Sequence, residues 1–212
     1  MNEQEQLKNL AEIRNLMERS SRFLSLSGLS GVFIGLFALL GFLASWKFTA
    51  DNGYALKSYY RLAFNADGES NRPFYVFYFA VGFIVLSVSL VTAFVLSHYK
   101  SQRKQLHLWD ASAKHLVFNL SVPLITGGVF ILMLVSIHLP NLIIPCMLIF
   151  YGLALLNASK YTFDEIRNLS VLEIAIGLLA IFFQDYGLIF WAIGFGALHI
   201  IYGILMNNKY ER

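Results

Sequence analysis

Six long apolar runs divide this chain, beginning near Phe23, Pro73, Leu116, Asn141, Leu169 and Gly187. About 20 helical residues cross the ~30 Å hydrocarbon core of a bilayer, and most of the runs reach that length. Helices in soluble cores rarely stay apolar on every face for so long. The runs therefore predict an all-α, polytopic membrane protein with six transmembrane helices in three antiparallel hairpins. The spans fall at about 23–46, 73–98, 116–138, 140–157, 168–185 and 187–206.

Charge content agrees. Only 14% of residues are charged, against about 25% in an ordinary soluble domain. The formal net charge of +3 gives no reason to expect nucleic acid as a partner. The single cysteine, Cys146, leaves no intrachain disulfide framework and no thiolate metal cluster. Residues 1–22 mix acids and bases (Glu3, Glu5, Lys8, Glu12, Arg14, Glu18, Arg19, Arg22), which is not the short basic stretch of a secretory signal. The expected organisation is an N-terminal cytoplasmic amphipathic helix over 1–22, a transmembrane bundle over 23–206 and a cytoplasmic tail over 207–212.

Orientation follows from Lys and Arg in the short connections. The 99–115 connection carries Lys100, Arg103, Lys104 and Lys114; 158–167 carries Lys160 and Arg167; the tail carries Lys209 and Arg212. The connections around Pro140 and Asp185 carry neither residue. With six spans, these basic segments share the side of the N-terminus. Both termini are thus expected in the cytoplasm, with the chain in the inner (plasma) membrane. Trp46 and Trp191 would then sit at the outer interface, where amphipathic rings gather. The 47–72 loop is the exception, with Lys47, Lys57, Arg61 and Arg72. Its aromatic residues Phe48, Tyr54, Tyr59, Tyr60 and Phe64 predict a cap on the outer surface.

Leu10, Ile13, Met17, Ser20, Leu24, Ser27 and Gly31 follow helical spacing. Residues 1–22 therefore read as a helix that rests on the membrane or docks a protein partner. Lys100, Arg103, Lys104 and His107 share a face suited to anionic headgroups. Within the spans, small residues line single helix faces: Ser27, Gly31 and Gly35, and Ser89, Ala93 and Ser97, at four-residue spacing; Gly177 with Ala180 on one face of the fifth span; Gly196 with Gly203 on one face of the sixth. In lipid, close packing replaces the hydrophobic effect between helices, so these stripes predict helix seams. Pro123 predicts a kink in the third span, because proline removes a helical hydrogen bond.

Glu173 and His199 form the most informative ionisable pair. They are equidistant from Tyr186, at the turn between the last two spans. An antiparallel hairpin therefore brings them to one depth. A lone carboxylate in hydrocarbon costs ~2.5–3.5 kcal/mol even on the mildest scale, and a facing imidazole relieves that. The pair is expected to act as a polar clasp, or alternatively as a proton or cation relay.

A second constellation comprises Gly28-Leu29-Ser30-Gly31, His115 with Asn119, and His199. A serine beside a histidine, with further donors for an oxyanion, is the minimum for acyl chemistry. These fragments resemble the rhomboid intramembrane serine proteases, which also have a six-span core. The resemblance implies Ser30 as nucleophile, His199 as base, and His115 with Asn119 as oxyanion donors. It covers about fifteen residues. The serine precedes the HxxxN element here and follows it in rhomboids, and nothing matches the rhomboid loop between the first two spans. More broadly, the segment from Glu18 to Gly31 and the closing stretch from Tyr186 to Gly203 resemble uncharacterised six-span bacterial inner-membrane proteins. That implies fold and location, and no activity.

No HExxH, P-loop, dinucleotide fingerprint or paired-carboxylate box occurs, so no cofactor and no metal is expected. His98, His107 and His115 show no repeated ligand spacing. The sequence thus favours an inner-membrane protein with a structural or regulatory, partner-binding role and no catalysis. The alternatives are a small proton- or cation-coupled transporter or channel using Glu173 and His199, and a rhomboid-like protease.

Overall fold

The computed structural model describes residues 27–103, 105 and 109–210. The predicted helix over 1–22, Lys104, His107, and Glu211 and Arg212 of the tail lie outside them. The described chain is helical: α1 (Gly28–Asp51), α2 (Arg72–Arg103), α3 (Ala111–Ser136), α4 (Ile143–Ala158) and α5 (Asp164–Phe182). A closing helix follows, composed of α6 (Gly187–Trp191), a π-helical run (Ala192–Leu198) and α7 (His199–Tyr210). Among the described residues the only β pairing is an isolated bridge between Phe64 and Ser70.

Five helical stretches are long and apolar enough to cross a membrane: Gly28–Asp51, Arg72–Arg103, Ala111–Ser136, Pro140–Tyr161 and Gln184–Tyr210. Six were expected. The remaining helix, α5, begins earlier than its apolar run because Asp164 and Glu165 occupy its first turn, where acids complement the helix dipole. Those acids, Arg167 and Glu173 dilute its hydropathy. At the start of α3, the Ala113 N–H donates to Asp110 Oδ1 at 2.7 Å, a side-chain cap of a group that otherwise lacks a partner. α3 continues through Pro123.

The helices pack as two groups of three. α1 lies between α2 and the closing helix, and α4 lies between α3 and α5. Thus α1 with α2 and α3 with α4 pair as neighbours in sequence. The expected third hairpin, α5 with the closing helix, is not the main pairing: α5 packs chiefly on α4, and the closing helix chiefly on α1. Glycines set both seams. A Cβ on Gly35 would stand 2.5 Å from Gly196 O, and one on Gly203 would stand 2.5 Å from Val32 N. One on Gly31 would stand 3.0 Å from Gly203 Cα. On the other seam, a Cβ on Gly177 would meet Ile149 N at 2.9 Å and Pro145 O at 3.0 Å. Ser27 is buried at the start of α1. Backbone-to-backbone approach of this kind is how helices associate in lipid.

Two apolar clusters join the groups. One, at the end of the bundle carrying the 52–71 loop, gathers Tyr59, Leu62, Phe74, Ile144, Leu148 and Leu188. The other, at the end carrying the C-terminus, gathers Leu155, Phe163, Ile166, Leu169 and Met206. The loop is therefore more than a surface cap: Tyr59 is 2% exposed and packs in the core. Ser58 Oγ and Tyr60 Oη both donate to Asp185 Oδ1, at 3.0 and 2.9 Å, and tie the loop to the turn before α6. Outside, α2 and α3 present Phe83, Ile84, Val91, Phe118, Ile125 and Leu132.

Candidate functional site

Between the two apolar clusters lies a polar layer. Glu173, from the middle of α5, is 0% exposed, and His199, at the start of α7, is 4% exposed. The structure brings them together, with His199 Nδ1 3.5 Å from Glu173 Oε1. Neither carboxyl oxygen has a hydrogen-bond partner among the described residues. The imidazole is better satisfied. Its Nδ1 lies 3.1 Å from Gly194 O and its Nε2 lies 2.7 Å from Tyr151 Oη. A carbonyl only accepts, so Nδ1 carries the proton and donates to Gly194 O. Nε2 of the neutral ring then accepts from the Tyr151 hydroxyl.

Backbone geometry makes room for this layer. Gly194 lies in the π-helical run, a wider turn that recurs at functional sites. A Cβ there would stand 2.5 Å from Leu148 Cδ2 and 2.7 Å from Glu173 Oε2. The carboxyl group therefore occupies the space that any larger residue at 194 would fill. Phe195 closes one side, with its ring 5.2 Å from that of Tyr151 and 6.4 Å from that of His199.

The hydrolase residues are not gathered in this way. The Ser30 hydroxyl donates to Ser27 O at 2.5 Å. Asn119 Nδ2 donates to His115 O at 2.8 Å, while the His115 ring stacks on Tyr161 at 5.4 Å. Among the described residues none of these side chains is hydrogen-bonded to His199, whose two nitrogens face Tyr151 and Gly194. The predicted nucleophile, base and oxyanion donors thus belong to three separate local arrangements. Among the described residues no three His, Cys, Asp or Glu side chains form a metal-binding group.

A cleft of about 400 Å³ opens elsewhere, at the loop end, between Lys57, Tyr60, Phe183, Gln184, Asp185 and Tyr186. Lys57 Nζ stands 5.3 Å over the Tyr186 ring. At the opposite end, Lys209 Nζ and Tyr210 Oη donate to Glu165 at 2.6 and 3.0 Å. These bonds tie α7 to the first turn of α5.

Sequence reasoning missed Tyr151 and Gly194. Tyr151 is the one hydroxyl within α4, and that was the available signal. Nothing in the spacing around Gly194 announces a π turn. In comparison with known proteins, no family model, no curated protein and no solved structure matches this chain.

Proposed function

We propose that this is a six-span protein of the inner membrane, with both termini cytoplasmic, that acts as a structural or regulatory component through a protein partner and catalyses no reaction. The course of the chain supports six passes. Gly28 packs against Asn207, so the start of α1 and the end of α7 share one end of the bundle. Asn141 Nδ2 donates to Gln184 Oε1 at 2.5 Å, and Asp185 holds the 52–71 loop. The start of α4 and the start of the closing helix therefore share the other end. α4 leaves that end and α5 returns to it, which supports reading α5 as a sixth pass. The basic connections then fall on the side of the termini, the cytoplasmic side by the charge rule.

The observation that carries the functional reading is the closed interior. Glu173 is fully buried between two apolar clusters rather than lining an open path. The engagement of Ser30 with Ser27 O supports the absence of acyl chemistry. Residues 1–22, with their stripe of Leu10, Ile13 and Met17, are the proposed docking segment.

A photo-crosslinking residue at Glu12 tests this in native membranes. A discrete protein adduct is expected, lost when the stripe is broken by Ile13→Glu. Adducts to lipid alone would overturn the partner-binding role.

A further inference from the structure

We propose that Tyr151, His199 and Glu173 form a proton relay that ends on the Glu173 carboxylate, so that the centre of the bundle binds one exchangeable proton. This goes beyond the structural role above and does not rest on it.

Two observations point the same way. Glu173 has both oxygens unpartnered and is fully buried. A clasp that merely locked helices would satisfy that carboxyl, because an unmade hydrogen bond in a buried site is costly. The three groups also stand in series: Tyr151 Oη at 2.7 Å from Nε2, and Nδ1 at 3.5 Å from Oε1. An imidazole between a hydroxyl and a carboxyl is the arrangement in which a proton enters at one nitrogen and leaves at the other.

The step balances as follows. A hydronium ion gives a proton to Tyr151 Oη, whose own proton passes to Nε2. The Nδ1–H, which at rest donates to Gly194 O, must first tilt toward Oε1, 3.5 Å away; the Nδ1–H bond then breaks and its proton forms an O–H bond on Oε1. The net change is hydronium plus carboxylate to water plus carboxylic acid. The imidazole remains neutral, now with its proton on Nε2. Its Nδ1 lone pair then faces the Gly194 carbonyl, which has lost its donor, and accepts from the new acid. Loading the proton thus removes the hydrogen bond that holds the π-helical run to the His199 side chain. The ionisable groups facing Glu173 are Tyr151 from α4 and His199 from the closing helix. On α5 itself, Asp164, Glu165 and Arg167 lie toward the helix start, and Glu165 is held by Lys209 and Tyr210.

Infrared difference spectroscopy of the full chain in lipid nanodiscs tests the relay. The acid-form carbonyl stretch of Glu173 is expected to grow on acidification, to shift in heavy water, and to vanish in Glu173→Gln. Tyr151→Phe loses only a hydroxyl. It should keep the band and slow its deuterium exchange by ~100-fold, the lower end of what a positioned proton-transfer group supplies. If Glu173→Gln does not fold, Glu173→Asp keeps an acid at the site and should move the band. Absence of any titrating acid band, or exchange in Tyr151→Phe at the rate of the parent, would overturn the relay.

Discussion

Glu173 shows how far single residues could be read. Its equal distance with His199 from the turn at Tyr186 foretold a meeting, and the two approach to 3.5 Å. Their third partner, Tyr151, was hidden because it comes from α4, a helix whose position depends on seams that sequence spacing cannot pair. Gly194 yields a direct prediction. Leu148 is 0% exposed, so it has little room to yield to a new methyl group. Gly194→Ala should destabilise the fold by ~1–3 kcal/mol, the usual cost of overpacking. A thermal melt in detergent should show a lower midpoint, and an unchanged one would refute the tight fit. Glu165, ahead of the apolar stretch of α5, yields another. Burial pushes its carboxyl up, but the hydrogen bonds from Lys209, its backbone and Tyr210 outweigh that and leave it below the usual carboxylate range. A depressed folded value adds stability above the unfolded value, and that stability is lost as pH falls through the folded value. The melting midpoint should therefore fall more steeply toward acid in the parent than in Glu165→Gln. Parallel slopes would show that the bond to Lys209 does not matter.

At the level of helices, the apolar runs announced every long element, and the small-residue stripes announced that seams exist. Their partners were not legible. A stripe encodes a smooth face and says nothing of which helix fills it, so Gly203 was assigned no mate until it met Val32 and Gly28 of α1. The π-helical run was equally silent, since Ala192–Leu198 has the composition of any apolar helix. The seam can be tested at two glycines. Gly203→Val places branches where the backbone of α1 already stands. It should cost ~1–3 kcal/mol or more and shift the chain toward aggregation on size-exclusion chromatography. Gly128→Ala has open space around its new Cβ and should change stability by no more than ~1 kcal/mol. Equal losses in both variants would mean that glycine serves the backbone rather than the seam.

For the whole molecule, hydropathy gave the number of runs and the Lys and Arg counts gave a side. The acids at the start of α5 keep it out of the five helices long and apolar enough to cross, as a helix that keeps polar groups inside a bundle looks less apolar than one facing lipid alone. Reporter fusions separate the cases. One placed in the 158–163 connection and one after Arg212 should both score cytoplasmic. One placed after Asp185 should score on the far side. A shared side for the 158–163 and Asp185 reporters would remove α5 from the set of spans. The layered core has an electrical consequence. In the proposed six-span arrangement, with an apolar plug above and below it, the carboxyl at position 173 would stand inside the membrane's own field. A full crossing is worth ~2.3 kcal/mol per elementary charge at 100 mV, and a charge at this depth takes a share of it. In that arrangement the resting voltage of the cell would become one of the forces acting on that single side chain.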